Sequence, residues 1–198
     1  MSSVLPSVML KCFDTCGDCE IIVDPQLGDE GDDPKSSKEA GSTFKVWSNV
    51  LCGWSDVFAA MFTHDFREKN EKTITISGFS VPAVRAFFQY MYSEMLQVDP
   101  DVVLEVAALA DKYAVEQLSQ ACVERVKTEL SPTTACPLLQ QASRLGATGV
   151  KERCLETIFC NAKEALLNGF SLNQDLLEEV LTSTMLCIDD YSLAQIFL

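Results

Sequence analysis

The chain has 198 residues, 47% of them hydrophobic, with 29 Asp and Glu against 15 Lys and Arg for a net charge of −14. That is enough apolar material for a core, and no run approaches the ~20 residues of a membrane-spanning helix. The charge repels phosphate backbones, which excludes nucleic acid as this chain's own partner. The N-terminal MSSVLPSVMLKC has no basic stretch leading into a long apolar one, so no signal peptide is read. The expected setting is intracellular, in the cytoplasm, the nucleus or both.

Along the chain, Val4 to Lys11 has the pattern of a short helix interrupted by Pro6. Cys19 to Val23 reads as a buried strand stopped by Asp24-Pro25. Gln26 to Thr43 sets Asp29, Glu30, Asp32, Asp33 and Glu39 against Lys35 and Lys38 without apolar periodicity. Such an acidic insertion, residues 26–43, is expected to be a solvated, flexible loop. Phe44 to Trp47 is the return strand of this long-looped hairpin, and Asn49 to Trp54 makes a helical turn.

Ser55 is placed to cap a helix from Asp56 to His64, in which Val57, Phe58, Met61 and Phe62 recur at helical spacing. Lys72 to Ile76 alternates, with Ile74 and Ile76 on one face of a half-buried strand. Ser80 caps the next helix, with Pro82 in its first turn. That helix buries Val84, Phe87, Phe88 and Met91 and ends near Tyr92. Asp101 to Lys112 is apolar on nearly all sides, the mark of a central helix, and Val115 to Leu130 is amphipathic. Ser131-Pro132 opens a helix from Thr133 to Arg144, and Gly146 and Gly149 bracket a turn. Helices follow over Val150 to Cys160, Ala162 to Leu167, Asn173 to Leu181 and Asp190 to Phe197. The expected class is α+β: a small mixed sheet flanked by helices, then an all-α run of helical hairpins, with the seam near Leu130-Ser131.

Catalytic chemistry finds little material. There is one His, His64, and no G-x-S-x-G, P-loop or G-x-G-x-x-G. No catalytic residue, cofactor site or metal site is therefore expected. The run from Asp29 to Asp33 lacks the alternate ligands and closing Glu of a calcium loop. Nine cysteines are scattered, mostly on apolar positions of helical patterns, where they serve as small buried side chains. Cys12-x3-Cys16-x2-Cys19 alone has metal-like spacing, and zinc needs four ligands. A Cys-based metal or redox protein is the minor alternative.

Five segments, in order, resemble a BTB/POZ domain. They are Asp18-Cys19-Glu20-Ile21-Ile22-Val23, Phe44-Lys45-Val46-Trp47, the helix from Ser55 to Phe62, the corner Phe66-Arg67-Glu68, and AALADKYAVEQL from Ala107 to Leu118. The resemblance covers residues 9–130. Residues 131–198 resemble the three-box and part of the BACK region, a helical extension often found after that domain. The chain departs from the usual pattern in having Val46-Trp47-Ser48 for Ala-His-Lys and Trp54 for an Arg.

The likeness is to cullin-3 adaptors of the MATH-BTB and Kelch-BTB type, and it implies two surfaces. One is a dimer face, here Val8, Met9, Leu10, Val50, Leu51 and Trp54, for pairing with itself or other BTB proteins. The other is a cullin-3 docking face, here Met61, Asp65, Phe66, Glu68 and Tyr113. The implied function is a dimerising adaptor that brings a substrate protein to a ubiquitin ligase and is not itself an enzyme. The alternative within the family is an oligomerisation scaffold without cullin.

Overall fold

The computed structural model describes residues 9–24, 42–63, 72–167 and 171–189. Three strands form one sheet in the order β2-β1-β3: β1 (Cys19–Asp24), β2 (Thr43–Val46) and β3 (Thr73–Ser77). β1 pairs antiparallel with β2, setting Ile21 opposite Phe44, and parallel with β3, setting Ile21 beside Ile74 and Val23 beside Ile76. Alternation along each strand sends Cys19, Ile21, Val23, Phe44, Val46, Ile74 and Ile76 to one buried face. A slip of one residue would turn that whole set to solvent, so the apolar pattern fixes the register. Thr43, placed in the loop by the sequence reading, opens β2.

A parallel β1–β3 pair needs a long crossover, and two helices supply part of it: α1 (Ser48–Trp54) and α2 (Asp56–Thr63). α3 (Val81–Ser93) closes the buried face with Val84, Phe87, Phe88 and Met91. Its start is written locally, since Ser80 Oγ accepts the Ala83 N–H at 3.3 Å and Pro82 lies in the first turn. A 3-10 turn (Pro100–Val102) leads into α4 (Val103–Lys112). Five consecutive buried residues of α4, Val106 to Ala110, confirm the expected central helix.

α5 (Glu116–Lys127) follows, then α6 (Pro132–Leu145), opened by a capping box in which Ser131 and Thr134 bond reciprocally. α7 (Thr148–Cys160), α8 (Ala162–Leu166) and α9 (Gln174–Thr182) complete the described helices. α4 packs on α5, α6 and α7 alike, so one apolar core runs through the sheet unit and the trailing helices. Of the two turn glycines, only Gly146 sits in the left-handed region, at φ +78. Gly149 is helical, in the first turn of α7, where an added Cβ would stand 3.2 Å from Val123 Cγ2 and 3.3 Å from Ser119 Oγ. Its smallness lets α7 approach α5; it does not make a turn.

The expected loop residues 26–41, the helical residues 4–8 and the final segment 190–197 lie outside the described residues. Among the described residues no disulfide joins any cysteines. Four of them fill the core, where burial pushes Cys19 and Cys136 up to about 11 and Cys122 and Cys154 up to about 12.

Candidate protein-interaction surfaces

The end of α4 holds two parts of the molecule together. Ser55 caps α2 as its sequence position suggests, accepting the Phe58 N–H at 3.2 Å. Its hydroxyl also donates to the Tyr113 carbonyl at 2.5 Å, in a site where Ser55 is 3% exposed. The Phe58 and Tyr113 rings stack at 4.6 Å with planes 11° apart, and Phe87 and Phe88 enclose them. α2 is thereby fixed in direction, with Met61 half-buried near its C-terminal end. Asp65, Phe66 and Glu68, the rest of the expected docking corner apart from Tyr113, lie outside the described residues. Tyr113 is enclosed within the chain, so it supports the α2 frame rather than offering its ring to a partner.

Two residues before Tyr113, Asp111 reaches the trailing helices. Its carboxylate accepts the Thr148 N–H at 2.6 Å, the Gly149 N–H at 3.4 Å and the Ser119 hydroxyl at 2.6 Å. α7 has no side-chain cap of its own at Ala147, so this carboxylate takes that place and lies at the positive end of the helix dipole. Nothing local in the sequence announces a cap supplied from 37 residues away. At the other, C-terminal ends of α5 and α7 lies a cleft of about 540 Å³ lined by Lys127, Leu130, Arg153, Phe159 and Met185.

Of the expected dimer residues, Trp54 reaches the far end of α3. Trp54 donates from Nε1 to the Met91 carbonyl at 2.8 Å and sets its ring 5.6 Å from Tyr90. Phe13, which ends the helical turn of residues 9–12, packs 5.7 Å from Tyr92 and 6.0 Å from Phe44. Met91 and Tyr92 thus receive α1 and the N-terminal turn side by side. Met9, Leu10, Val50 and Trp54 are half-buried, while Leu51 is wholly enclosed and Val8 lies outside the described residues. Trp47 is 39% exposed, and its backbone N–H donates to the Tyr92 hydroxyl at 2.8 Å.

α1 itself starts on Asp18, whose carboxylate accepts the Ser48 N–H at 2.7 Å, the Ser48 hydroxyl at 2.8 Å and the Lys72 ammonium at 3.1 Å. Burial works to raise the Asp18 carboxyl, but the two Ser48 bonds and Lys72 outweigh it and hold it below the ordinary value. The same site orders three separate segments: the lead into β1, the start of α1 and the approach to β3.

Comparison with known proteins agrees with this geometry. The sequence model of the BTB/POZ domain family matches residues 36–130. BTB/POZ domain-containing protein 6-A of Danio rerio is 37% identical over 134 residues, 67% of this chain and 25% of that protein. BTB/POZ domain-containing protein 6 of Homo sapiens is 34% identical over 145 residues, 72% of this chain and 27% of that protein. BTB/POZ domain-containing protein 3 of Homo sapiens is 34% identical over 134 residues, 67% of this chain and 26% of that protein. The chain therefore spans about a quarter of the length of these relatives. The family match begins after β1, yet β1 is the middle strand, so the folded unit reaches back at least to Cys19. By that match and that fold the chain carries a BTB/POZ domain, a module for protein–protein interaction and oligomerisation.

Proposed function

We propose that this chain is a dimerising adaptor that docks cullin-3 and brings substrate proteins to a ubiquitin ligase. In this reading residues 9–130 form the BTB unit and 131–198 a three-box and partial BACK region. The observation that carries it is the double grip of α4's C-terminal end. Tyr113 fixes α2, which leads toward Phe66-Arg67-Glu68, and Asp111 caps α7 of the trailing helices. α2 and the trailing helices, both held by one short segment, make a common frame, which lowers the ordering cost of docking a partner across them. An apolar Phe66 followed two residues on by the carboxylate of Glu68 has the composition of an interface anchor. The half-buried Met9, Leu10, Val50 and Trp54 supply the self-association face.

Size-exclusion chromatography with light scattering, run with and without purified cullin-3 N-terminal domain, tests this. The expected result is a dimer alone and a complex of two chains with two cullin domains after mixing. A dimer that elutes unchanged beside free cullin would leave the scaffold reading. A monomer would remove the dimer face.

A further inference from the structure

The structure divides the three closely spaced N-terminal cysteines. Cys19 opens β1 facing inward, opposite Val46, and is 3% exposed. Gly17 is wedged against β2, where an added Cβ would stand 2.2 Å from the Val46 carbonyl oxygen. Joining Cys16 to Cys19 would therefore pull Cys19 out of the core and undo that close contact. Cys12 and Cys16 stand differently. The Cys16 N–H donates to the Cys12 carbonyl at 3.3 Å, and the Cys16 sulfur lies 3.7 Å from the same oxygen, so it sits over residue 12 itself. An i to i+4 bond of this kind brings two Cα atoms to about 6 Å, inside the ~4.4–6.8 Å that a disulfide spans.

The turn between them is pinned on several sides. Phe13 is buried, the Asp14 N–H donates to the Lys45 carbonyl at 3.0 Å, and the Asp14 carboxylate meets Arg85 at 3.4 Å. Cys16 is exposed and Cys12 half-buried. Among the described residues no group of three or more His, Cys, Asp or Glu side chains is arranged to hold a metal ion. The geometry is therefore one exposed thiol, Cys16, set over the backbone of a half-buried one, Cys12, in the same turn.

We propose that Cys12 and Cys16 form a redox-active dithiol that closes to an intramolecular disulfide, with a small disulfide of the oxidised-glutathione class as oxidant. Cys16, the exposed partner, attacks first as its thiolate, forming a mixed disulfide and expelling one small thiol. The Cys12 thiolate then attacks the Cys16 sulfur and expels the second. The two protein thiols are oxidised by two electrons, the external disulfide is reduced to two thiols, and the two protons end on those thiols. A bond so placed is exposed and belongs to the labile, reversible kind. It would close the turn joining the half-buried Met9–Leu10 segment to β1.

The test treats the full reduced chain with oxidised glutathione, alkylates the remaining thiols in denaturant, and sequences the tryptic peptide 12–35 by mass spectrometry. The expected product has Cys12 joined to Cys16 and Cys19 alkylated. Cys12→Ser should stop at a mixed disulfide on Cys16, and Cys16→Ser should leave Cys12 alkylated. As a second readout, phenylarsine oxide, which grips paired thiols, should protect both cysteines in the wild type and neither single variant. A wild type that stops at the mixed disulfide and gains no arsenical protection would overturn the proposal, as would a Cys16–Cys19 bond.

Discussion

The Asp111 carboxylate accepts the Thr148 backbone N–H at 2.6 Å, joining the last turn of the central helix to the first turn of α7. One side chain from the BTB unit thereby completes a helix of the extension. Asp111→Ala removes the acceptor for Thr148, Gly149 and the Ser119 hydroxyl at once. The expected cost is about 1–2 kcal/mol, the range of a lost cap. Denaturant titration should show the lower midpoint, and hydrogen exchange should rise more in 148–160 than in the sheet. Asp111→Asn, which keeps an acceptor, should lose less. Equal exchange in wild type and Asp111→Ala would refute the coupling.

Phe58 is wholly enclosed between Tyr113, Phe87 and Phe88. Phe58→Ala opens a cavity under α2 and should cost about 3–5 kcal/mol, read as a large drop in thermal midpoint. Phe58→Leu fills most of that space and should lose much less. Similar midpoints for Phe58→Ala and wild type would mean that the stack does not hold α2.

Asp18 gives the fold an acid limb. Its folded pKa lies below the ordinary 3.8, so its contribution to stability is fully present above that value. The contribution is lost as pH falls through the folded pKa, when the Ser48 and Lys72 bonds lose their charged acceptor. Asp18→Asn should be less stable than wild type at neutral pH, and the two curves should converge on acidification below about pH 4. A constant gap down to pH 2 would show that the charge is not what matters at this site.

Local signals made much of this fold legible. Ser80 with Pro82 and Ser131 with Pro132 cap the helices that their positions announce. The alternation through Ile74 and Ile76 gave the right buried face of β3. Contacts supplied from a distance were not legible. The Glu105 carboxylate takes the Ser80 N–H at 2.7 Å, and Arg85 lies 4.6 Å from the centre of the Phe44 ring. No spacing rule pairs such residues, because tertiary packing brings them together. Gly149 was misread for a related reason: a glycine chosen for close helix approach looks, in sequence, like one chosen for a turn. Tyr113 and Leu51 were assigned to surfaces from resemblance, whereas packing enclosed both.

The most direct test of the adaptor reading is calorimetric titration of cullin-3 N-terminal domain into this protein and into a Phe66→Ala, Glu68→Lys variant of equal thermal midpoint. The account predicts micromolar or tighter binding by the wild type and a loss of about 2 kcal/mol or more in the variant. No heat of binding from the folded wild type, or equal affinity for both proteins, would contradict it.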